Sequence, residues 1–180
     1  MSILKVARIG NPILRRRAGE VPRAAIGSPE LERLIEDMTE TMVEYDGVGL
    51  AAPQVHEPLR LAVLQVPADD EQEEIPLMVL INPVVTPLPS EKVSGWEGCL
   101  SVPDLRGMVT RPDRVRLQAL DREGKPIELE ASGFYARVIQ HECDHLDGVI
   151  YIDRMDDLST LSFLPEFERY VVTDGDVECV

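Results

Sequence analysis

The chain has 180 residues and an ordinary hydrophobic fraction, which is enough for a single domain with a substantial core. Its formal charge of −15 argues against direct binding to nucleic acid or to anionic membranes. Three cysteines, Cys99, Cys143 and Cys179, are an odd number and do not suggest a disulfide framework, so a reducing compartment is expected. No apolar run approaches the length of a membrane span, and no secretory signal pattern is visible.

A helix is the first predicted element, and it begins after Ser28. Ser28 is a suitable N-cap and Pro29 suits the first helical position. Apolar residues then follow at helical spacing, namely Leu31, Leu34, Ile35, Met38, Met42 and Tyr45. The helix stops at Asp46-Gly47. The next stretch, residues 47–54, is rich in glycine and alanine, so another chain could approach its backbone closely.

Strands are predicted in the middle of the chain. Residues 59–66 and 76–81 favour strands, with an acidic loop over residues 69–74 between them. Three prolines predict extended or turning backbone over residues 82–89. Residues 114–120 alternate between apolar and polar, and residues 126–130 return after a turn, which predicts a hairpin.

A second long helix is predicted over residues 134–146, with Gly148 as its terminator. The chain after Asp153 is acidic and weakly patterned, and residues 173–180 are expected to be mobile. Strands in runs with separated helices predict an α+β fold. We expect antiparallel or mixed sheets around the second helix, one domain over residues 1–155, and a partly mobile acidic tail over residues 156–180.

This second helix contains an H-E-x-x-H motif, which uses two of the three histidines in the chain. His141 and His145 are four residues apart and therefore share one helix face, where both imidazoles could bind a single metal ion. Glu142 lies where its carboxylate could reach a water molecule at that metal. Two histidines and an acid buried on a helix would be costly without a metal or specific partners, so the motif predicts a metal site.

Three candidates for the third ligand follow from the residues. A metzincin-like pattern fails because Tyr151 stands where its last histidine would be. Glu166 has the spacing of a thermolysin-like ligand. Cys99 is a soft donor, although a cysteine is commonly just a small buried apolar residue. The residues alone leave this choice open.

Three segments together resemble the signature motifs of the peptide deformylase family, in the same order and spacing. They are Gly47-Val48-Gly49-Leu50-Ala51-Ala52-Pro53-Gln54, Glu97-Gly98-Cys99-Leu100-Ser101 and Gln140-His141-Glu142-Cys143-Asp144-His145-Leu146-Asp147-Gly148. The resemblance extends from about Ile3 to Met155. It implies a catalytic domain over residues 1–155 that removes the N-terminal formyl group from formyl-methionyl nascent proteins and releases formate.

The resemblance also implies roles for individual residues. The implied ligands of one divalent metal ion are Cys99, His141 and His145, with Fe²⁺ as the physiological ion and Zn²⁺, Ni²⁺ or Co²⁺ as possible occupants. Glu142 would act as general base and then general acid. The side-chain amide of Gln54 and the backbone N–H of Leu100 would stabilise the tetrahedral oxyanion.

The same resemblance implies how the substrate is held. The peptide would lie extended along Val48, Gly49 and Leu50. The methionine pocket would include Val48, Glu97, Val138 and His141, with Arg106 near the entrance. We expect nascent chains in a bacterial cytoplasm as partners, close to the ribosome. The acidic tail lacks the basic helix that some members use for ribosome docking.

Two other functions stay open from the sequence. One is a zinc metalloendopeptidase with Glu166 as third ligand, and the other is a non-catalytic metal-binding relative. Among the remaining residues of the third motif, Cys143 is expected to pack in the core. Asp144 is expected either to pair with Arg111, Arg106 or a ligand histidine or to form a simple surface ion pair. His56 is expected in a solvated loop.

Overall fold

The computed structural model describes residues 2–66, 68 and 74–172. Most of the predicted acidic loop, the predicted mobile end of the tail and Cys179 lie outside these residues. The described helices are α1 (Pro29–Glu44), α2 (Gly133–Leu146) and α3 (Leu164–Tyr170). The described strands are β1 (Gly49–Ala51), β2 (Leu61–Val66), β3 (Ile75–Pro87), β4 (Lys92–Cys99), β5 (Val102–Pro112), β6 (Arg114–Leu120), β7 (Pro126–Ser132) and β8 (Ser162–Phe163).

Two antiparallel sheets carry the fold. The first has five strands in the order β1-β2-β3-β6-β7, and the second has three in the order β4-β5-β8. Short β1 therefore stands at an edge of the larger sheet, and it lies within the glycine-rich stretch that was expected to be approachable. Antiparallel sheets with separated helices confirm the predicted α+β class.

Helix α1 forms where the capping pattern predicts it. The Ser28 hydroxyl accepts a hydrogen bond from the Leu31 backbone N–H at 3.3 Å, and Pro29 occupies the first turn. The buried side chains of α1 are at helical spacing and pack against the core face of the larger sheet; they include Leu31, Ile35, Met38 and Met42. This packing fixes the start of the glycine-rich stretch that follows the helix.

Helix α2 lies against the larger sheet and carries the H-E-x-x-H motif. Val138 and Ile139 pack in one apolar cluster with Leu64, Leu80 and Leu117 of the sheet. The helix also contacts β5 of the smaller sheet. The predicted span is confirmed to within one residue, and this packing leaves the histidine face of α2 toward the end of β4.

Residues 92–112 form a long β4–β5 hairpin that the sequence pattern does not predict. Much of β4 is exposed and only Glu97 and Gly98 at its end are buried, so the strand lacks an apolar alternation. Its register is irregular between Glu97 and Cys99, which is where the second motif lies. The hairpin brings this motif to α2.

The described part of the tail packs against the smaller sheet. Strand β8 pairs with β5, and α3 follows at once. Phe167 of α3 is buried edge-on against Trp96 of β4, with ring centroids 4.8 Å apart. The division at residue 155 stays a prediction, but residues 158–172 are folded onto the body of the protein. Within the described ranges, no helix combines the length and apolarity that a membrane span requires.

Candidate functional site

Cys99, His141 and His145 come together at the junction of β4 and α2. Their donor atoms all lie within 4.8 Å of one another, and the Sγ of Cys99 is 3.2 Å from Nε2 of His145. Both histidines are buried and Cys99 is half-buried. The helix places the two imidazoles one turn apart, and the end of the hairpin supplies the sulfur.

This donor set fits a divalent transition metal. One thiolate and two imidazoles are suitable ligands for Zn²⁺, Fe²⁺, Co²⁺ and Ni²⁺, and three protein ligands leave a coordination position free for chemistry. Burial alone raises the pKa of the Cys99 thiol, but the neighbouring His145 and His141 outweigh it and hold that pKa well below its usual value. The thiolate that a metal requires is therefore favoured.

Glu97 orients His141 from the side away from the sulfur. Its Oε2 lies 2.9 Å from Nδ1 of His141, which leaves Nε2 of that ring for a metal. Arg111 donates to both oxygens of Glu97, at 2.6 and 2.9 Å, and Arg137 donates to Oε1 at 2.9 Å. Burial by itself raises the pKa of Glu97, but Arg111 and His141 bring it far below the usual value, so the carboxylate is ionised.

Glu142 is buried beside β1. Burial raises the pKa of its carboxyl to about 7, although the neighbouring His141 and His145 act to lower it. No described residue makes a hydrogen bond to its Oε2. A Cβ on Gly49 would lie 2.7 Å from Cδ of Glu142, a distance that real Cβ atoms essentially never show. The second glycine of the Gly47-Val48-Gly49 run therefore makes room for this carboxylate.

Gln54 is held with its amide nitrogen toward the site. Its Oε1 accepts a hydrogen bond from the Ala51 backbone N–H at 2.8 Å. Its Nε2 then faces Ser101 Oγ at 3.3 Å and Cys99 Sγ at 3.5 Å. The oxygen is occupied locally, so the N–H₂ group is the part of this side chain that is available as a donor.

One cavity of about 990 Å³ connects these groups. Its lining includes the predicted residues Val48, Gly49, Gln54, Cys99, Leu100, Arg106, His141 and Glu142. Arg106 lies against Gly98, where a Cβ would overlap its guanidinium. His56, predicted in a solvated loop, is exposed in the left-handed backbone region and also lines the cavity.

Three of the predicted substrate-contacting residues do not line the cavity. Leu50 is fully buried in the apolar cluster that includes the core face of α1. Val138 is fully buried in the apolar cluster between α2 and the larger sheet. Glu97 is also fully buried, and its two oxygens are occupied by two arginines and a histidine rather than facing a methionine pocket. Its role here is to support His141.

Two segments that the sequence analysis did not single out reach the cavity. The N-terminal strap, residues 5–8, lines the cavity, and a hydrogen bond from Ala7 N to Gln54 O at 2.7 Å ties it to the site. The next residue, Ile9, donates its backbone N–H to Ser101 O at 2.8 Å. Leu164 of α3 is the other contributor. Val6 and Ala7 are both buried between exposed Lys5 and Arg8, so the strap has no strand-like alternation that could have indicated it.

The other residues of the third motif have supporting positions. Asp144 accepts a hydrogen bond from Arg111 at 2.8 Å, which confirms the predicted pairing, and it also pairs with Arg154. Cys143 is buried in the apolar cluster between α2 and the sheet, as predicted, and burial raises its pKa to about 12. Glu166 is exposed in the first turn of α3 and is not part of the thiol–imidazole group.

A thiol and two imidazoles grouped beside a buried carboxylate, at the wall of a cavity, are the features of a metal-dependent hydrolase. The sequence matches the family described as polypeptide deformylase over residues 3–160. Peptide deformylase 2 of Pseudomonas syringae pv. tomato is 47% identical over 165 residues, which cover 90% of this chain and 92% of that protein. Peptide deformylase 1 of Prochlorococcus marinus is 46% identical over 173 residues, with 93% and 88% covered.

Solved structures agree with the sequence matches. The Met-Ala-Ser-bound crystal structure of class I type b peptide deformylase from Acinetobacter baumannii has a TM-score of 0.80 and 37% identity, covering 86% of this chain and all of that one. The chain belongs to the polypeptide deformylase family, whose members are metal-dependent hydrolases that remove the N-terminal formyl group from nascent proteins.

Proposed function

We propose that this chain hydrolyses the formyl group of formyl-methionyl proteins with one divalent metal ion held by Cys99, His141 and His145. The observation that carries the proposal is the convergence of these three donors beside buried Glu142, at a cavity that Cys99, His141 and Glu142 line. When bound, the metal supplies Lewis-acid polarisation of the formyl carbonyl and acidifies water. The protein supplies the remaining steps.

Glu142 is the proton carrier of the reaction. It takes a proton from the attacking water and returns it to the amine that leaves when the C–N bond breaks. A carboxyl group whose pKa is near 7 can perform both steps at neutral pH. Its buried position also keeps bulk water from competing for that proton.

Gln54 and Leu100 stabilise the oxyanion that forms at the formyl carbon. The amide nitrogen of Gln54 is directed toward the sulfur of Cys99, so it can donate where negative charge develops. Leu100 follows Cys99 directly and lines the cavity, which makes its backbone N–H the second donor. Removing one such donor costs roughly 100- to 1,000-fold in kcat in comparable sites.

The substrate lies along β1. This strand is at the edge of the larger sheet, so its outer backbone groups are available for pairing with an extended peptide. Pairing through the main chain depends little on the side chains of the substrate, which suits an enzyme that processes many different proteins. Val48, Gly49 and Arg106 line the cavity beside this edge. The Met-Ala-Ser peptide named for the Acinetobacter baumannii structure also begins with methionine.

The proposed setting is a bacterial cytoplasm, where nascent chains emerge from ribosomes. Direct binding to nucleic acid is not expected from a chain with a charge of −15. The described tail helix α3 carries Glu166, Glu168 and Arg169, so it is not a basic docking helix. Residues 1–155 constitute the catalytic domain in this proposal.

Fe²⁺ is the proposed physiological metal. A thiolate-ligated ferrous site is expected to lose activity in air as iron or sulfur is oxidised. Protein purified without oxygen should therefore be several times more active than an aerated sample, and Ni²⁺ or Co²⁺ reconstitution should restore an air-stable enzyme. Equal activity of aerated and protected samples with full iron content would contradict Fe²⁺.

The direct test is formate release from formyl-Met-Ala-Ser, with acetyl-Met-Ala-Ser and a longer internal peptide as parallel substrates. We expect formate from the first and no cleavage of an internal peptide bond. Cleavage of internal bonds without formate would instead support a metalloendopeptidase. Metal binding without any hydrolysis would support a non-catalytic relative. A Glu142→Gln variant should keep its metal and lose most of its activity.

A further inference from the structure

The cavity has more room than a formyl-methionyl group needs. Its volume of about 990 Å³ is near the upper end of the roughly 300–1,000 Å³ typical of pockets that hold a drug-sized ligand. The formyl group is the first group of the substrate. Among the parts of the substrate, only the residues that follow formyl-methionine can occupy the cavity space that it leaves.

Leu164 forms part of the wall of this extra space. It is half-buried, it is the first residue of α3, and it lines the same cavity as Pro103 and Arg106 of β5. It also lies beyond residues 3–160, the part of the chain that matches the family. The three signature motifs therefore do not account for this part of the wall.

The backbone on the N-terminal side of Leu164 is fixed by strand pairing. Ser162 is paired with Arg106, and Phe163 is paired with Leu105, both on β5. The backbone N–H of Met108 on the same strand donates to Thr160 Oγ1 at 3.2 Å. The residues that lead into Leu164 are thus tied to the strand that carries Arg106.

The backbone on the C-terminal side of Leu164 is fixed by an aromatic contact. Phe167 is only 3% exposed and lies edge-on against Trp96, whose strand ends at Cys99. Such a pair contributes orientation as well as buried area. Leu164 is therefore held between two anchors and presents a rigid apolar surface to the cavity.

We propose that Leu164 is a specificity-determining residue that contacts an apolar side chain of the substrate after the methionine. The proposal rests on the deformylation proposed above. Burial of an aliphatic side chain against an apolar wall is favourable, whereas a serine hydroxyl finds no hydrogen-bond partner there. Because Leu164 covers one side of the space, we expect a preference of about tenfold, the low end of discrimination by hydrophobic pockets.

The experiment compares kcat/KM for formate release from three peptides. Formyl-Met-Ala-Ser is the reference, and formyl-Met-Leu-Ser and formyl-Met-Ala-Leu place leucine at the second or third position. In the parent, kcat/KM should be about tenfold higher for one of the two leucine-containing peptides than for formyl-Met-Ala-Ser. Leu164→Ala should bring that ratio close to one. Ratios within one variant do not depend on how much of the protein is folded or metal-loaded.

Leu158→Ala is the matched control, because Leu158 is an exposed apolar residue of the same tail that does not line the cavity. It should keep the parental ratio. Equal rates for the three peptides in the parent, or an unchanged ratio in Leu164→Ala, would overturn the role of Leu164 while leaving deformylation intact. A parent that releases no formate from any peptide would overturn deformylation and this inference with it.

Discussion

Glu97 binds His141 through a hydrogen bond of 2.9 Å between its Oε2 and the imidazole Nδ1. This contact fixes the ring so that Nε2 remains for the metal, and it increases the basicity of the imidazole. Two arginines hold the carboxylate in place from the other side. The strength of the metal site therefore depends on a residue that does not touch the metal.

Glu97→Gln is expected to weaken metal affinity by about 10- to 100-fold, as loss of such supporting contacts typically does. Competition with a chelator measures the affinity. Glu130→Gln is the control, because Glu130 is an exposed acid that also pairs with two arginines, Arg114 and Arg116. An unchanged affinity in Glu97→Gln would show that this hydrogen bond does not support the metal site.

Arg137→Met is expected to destabilise the fold by about 3–5 kcal/mol, the usual cost of removing one partner of a buried ion pair. Arg137 donates to the carbonyls of Val93 and Val109, at 2.8 and 2.9 Å, as well as to Glu97. It therefore joins α2 to both strands of the β4–β5 hairpin. Urea unfolding measures the change in the free energy of unfolding.

The matched control for Arg137 is Arg122→Met, because Arg122 pairs with Glu32 near the surface. A surface pair of this kind contributes about 0–1 kcal/mol. A similar decrease in the free energy of unfolding in the two variants would mean that the buried ion pairs around Glu97 stabilise the fold no more than a surface pair does.

Gly49→Ala is expected to reduce kcat by about 100-fold or more, within the range that general acid–base catalysis supplies. The added Cβ would overlap the Glu142 carboxyl and displace it. Metal content should remain near that of the parent. Gly19→Ala is the control, since a Cβ there meets only Pro58 O at an ordinary 3.6 Å. Parental kcat in Gly49→Ala would mean that the position of Glu142 is not critical.

Phe167→Ala is expected to cost about 3 kcal/mol, as deletion of a buried aromatic ring usually does. The loss follows from the buried contact between Phe167 and Trp96, which anchors the tail. Tyr170→Ala, at an exposed position of the same helix, should change stability by less than about 0.5 kcal/mol. Equal stability of the two variants would mean that the described tail is not part of the cooperative fold.

Local signals in the sequence were enough for the two long helices and for the placement of His141 and His145 on one face of the second helix. The Ser28 cap with Pro29 and the glycine after α2 mark helix ends through backbone chemistry that needs no distant partner. The motif resemblance then supplied the choice of Cys99 over Glu166, which spacing alone left open.

Long-range contacts account for what the sequence pattern missed. Strand β4 is mostly exposed, so pairing with β5 rather than apolar alternation determines it. Helix α3 depends on Phe167 meeting Trp96, some seventy residues earlier. Glu97 was expected at the substrate, and its partners Arg111 and Arg137 come from another strand and a helix that only the folded chain brings together.

The most direct test of the metal site is the metal content per chain of Cys99→Ser beside Cys143→Ala, both purified under the same anaerobic conditions. The two cysteines differ in role, since Cys99 lies 3.2 Å from His145 and Cys143 packs in the apolar core. We expect close to one metal ion per chain in the parent and in Cys143→Ala, and severe loss of both metal and formate release in Cys99→Ser. Full metal and full activity in Cys99→Ser would contradict a site built from this sulfur and the two imidazoles.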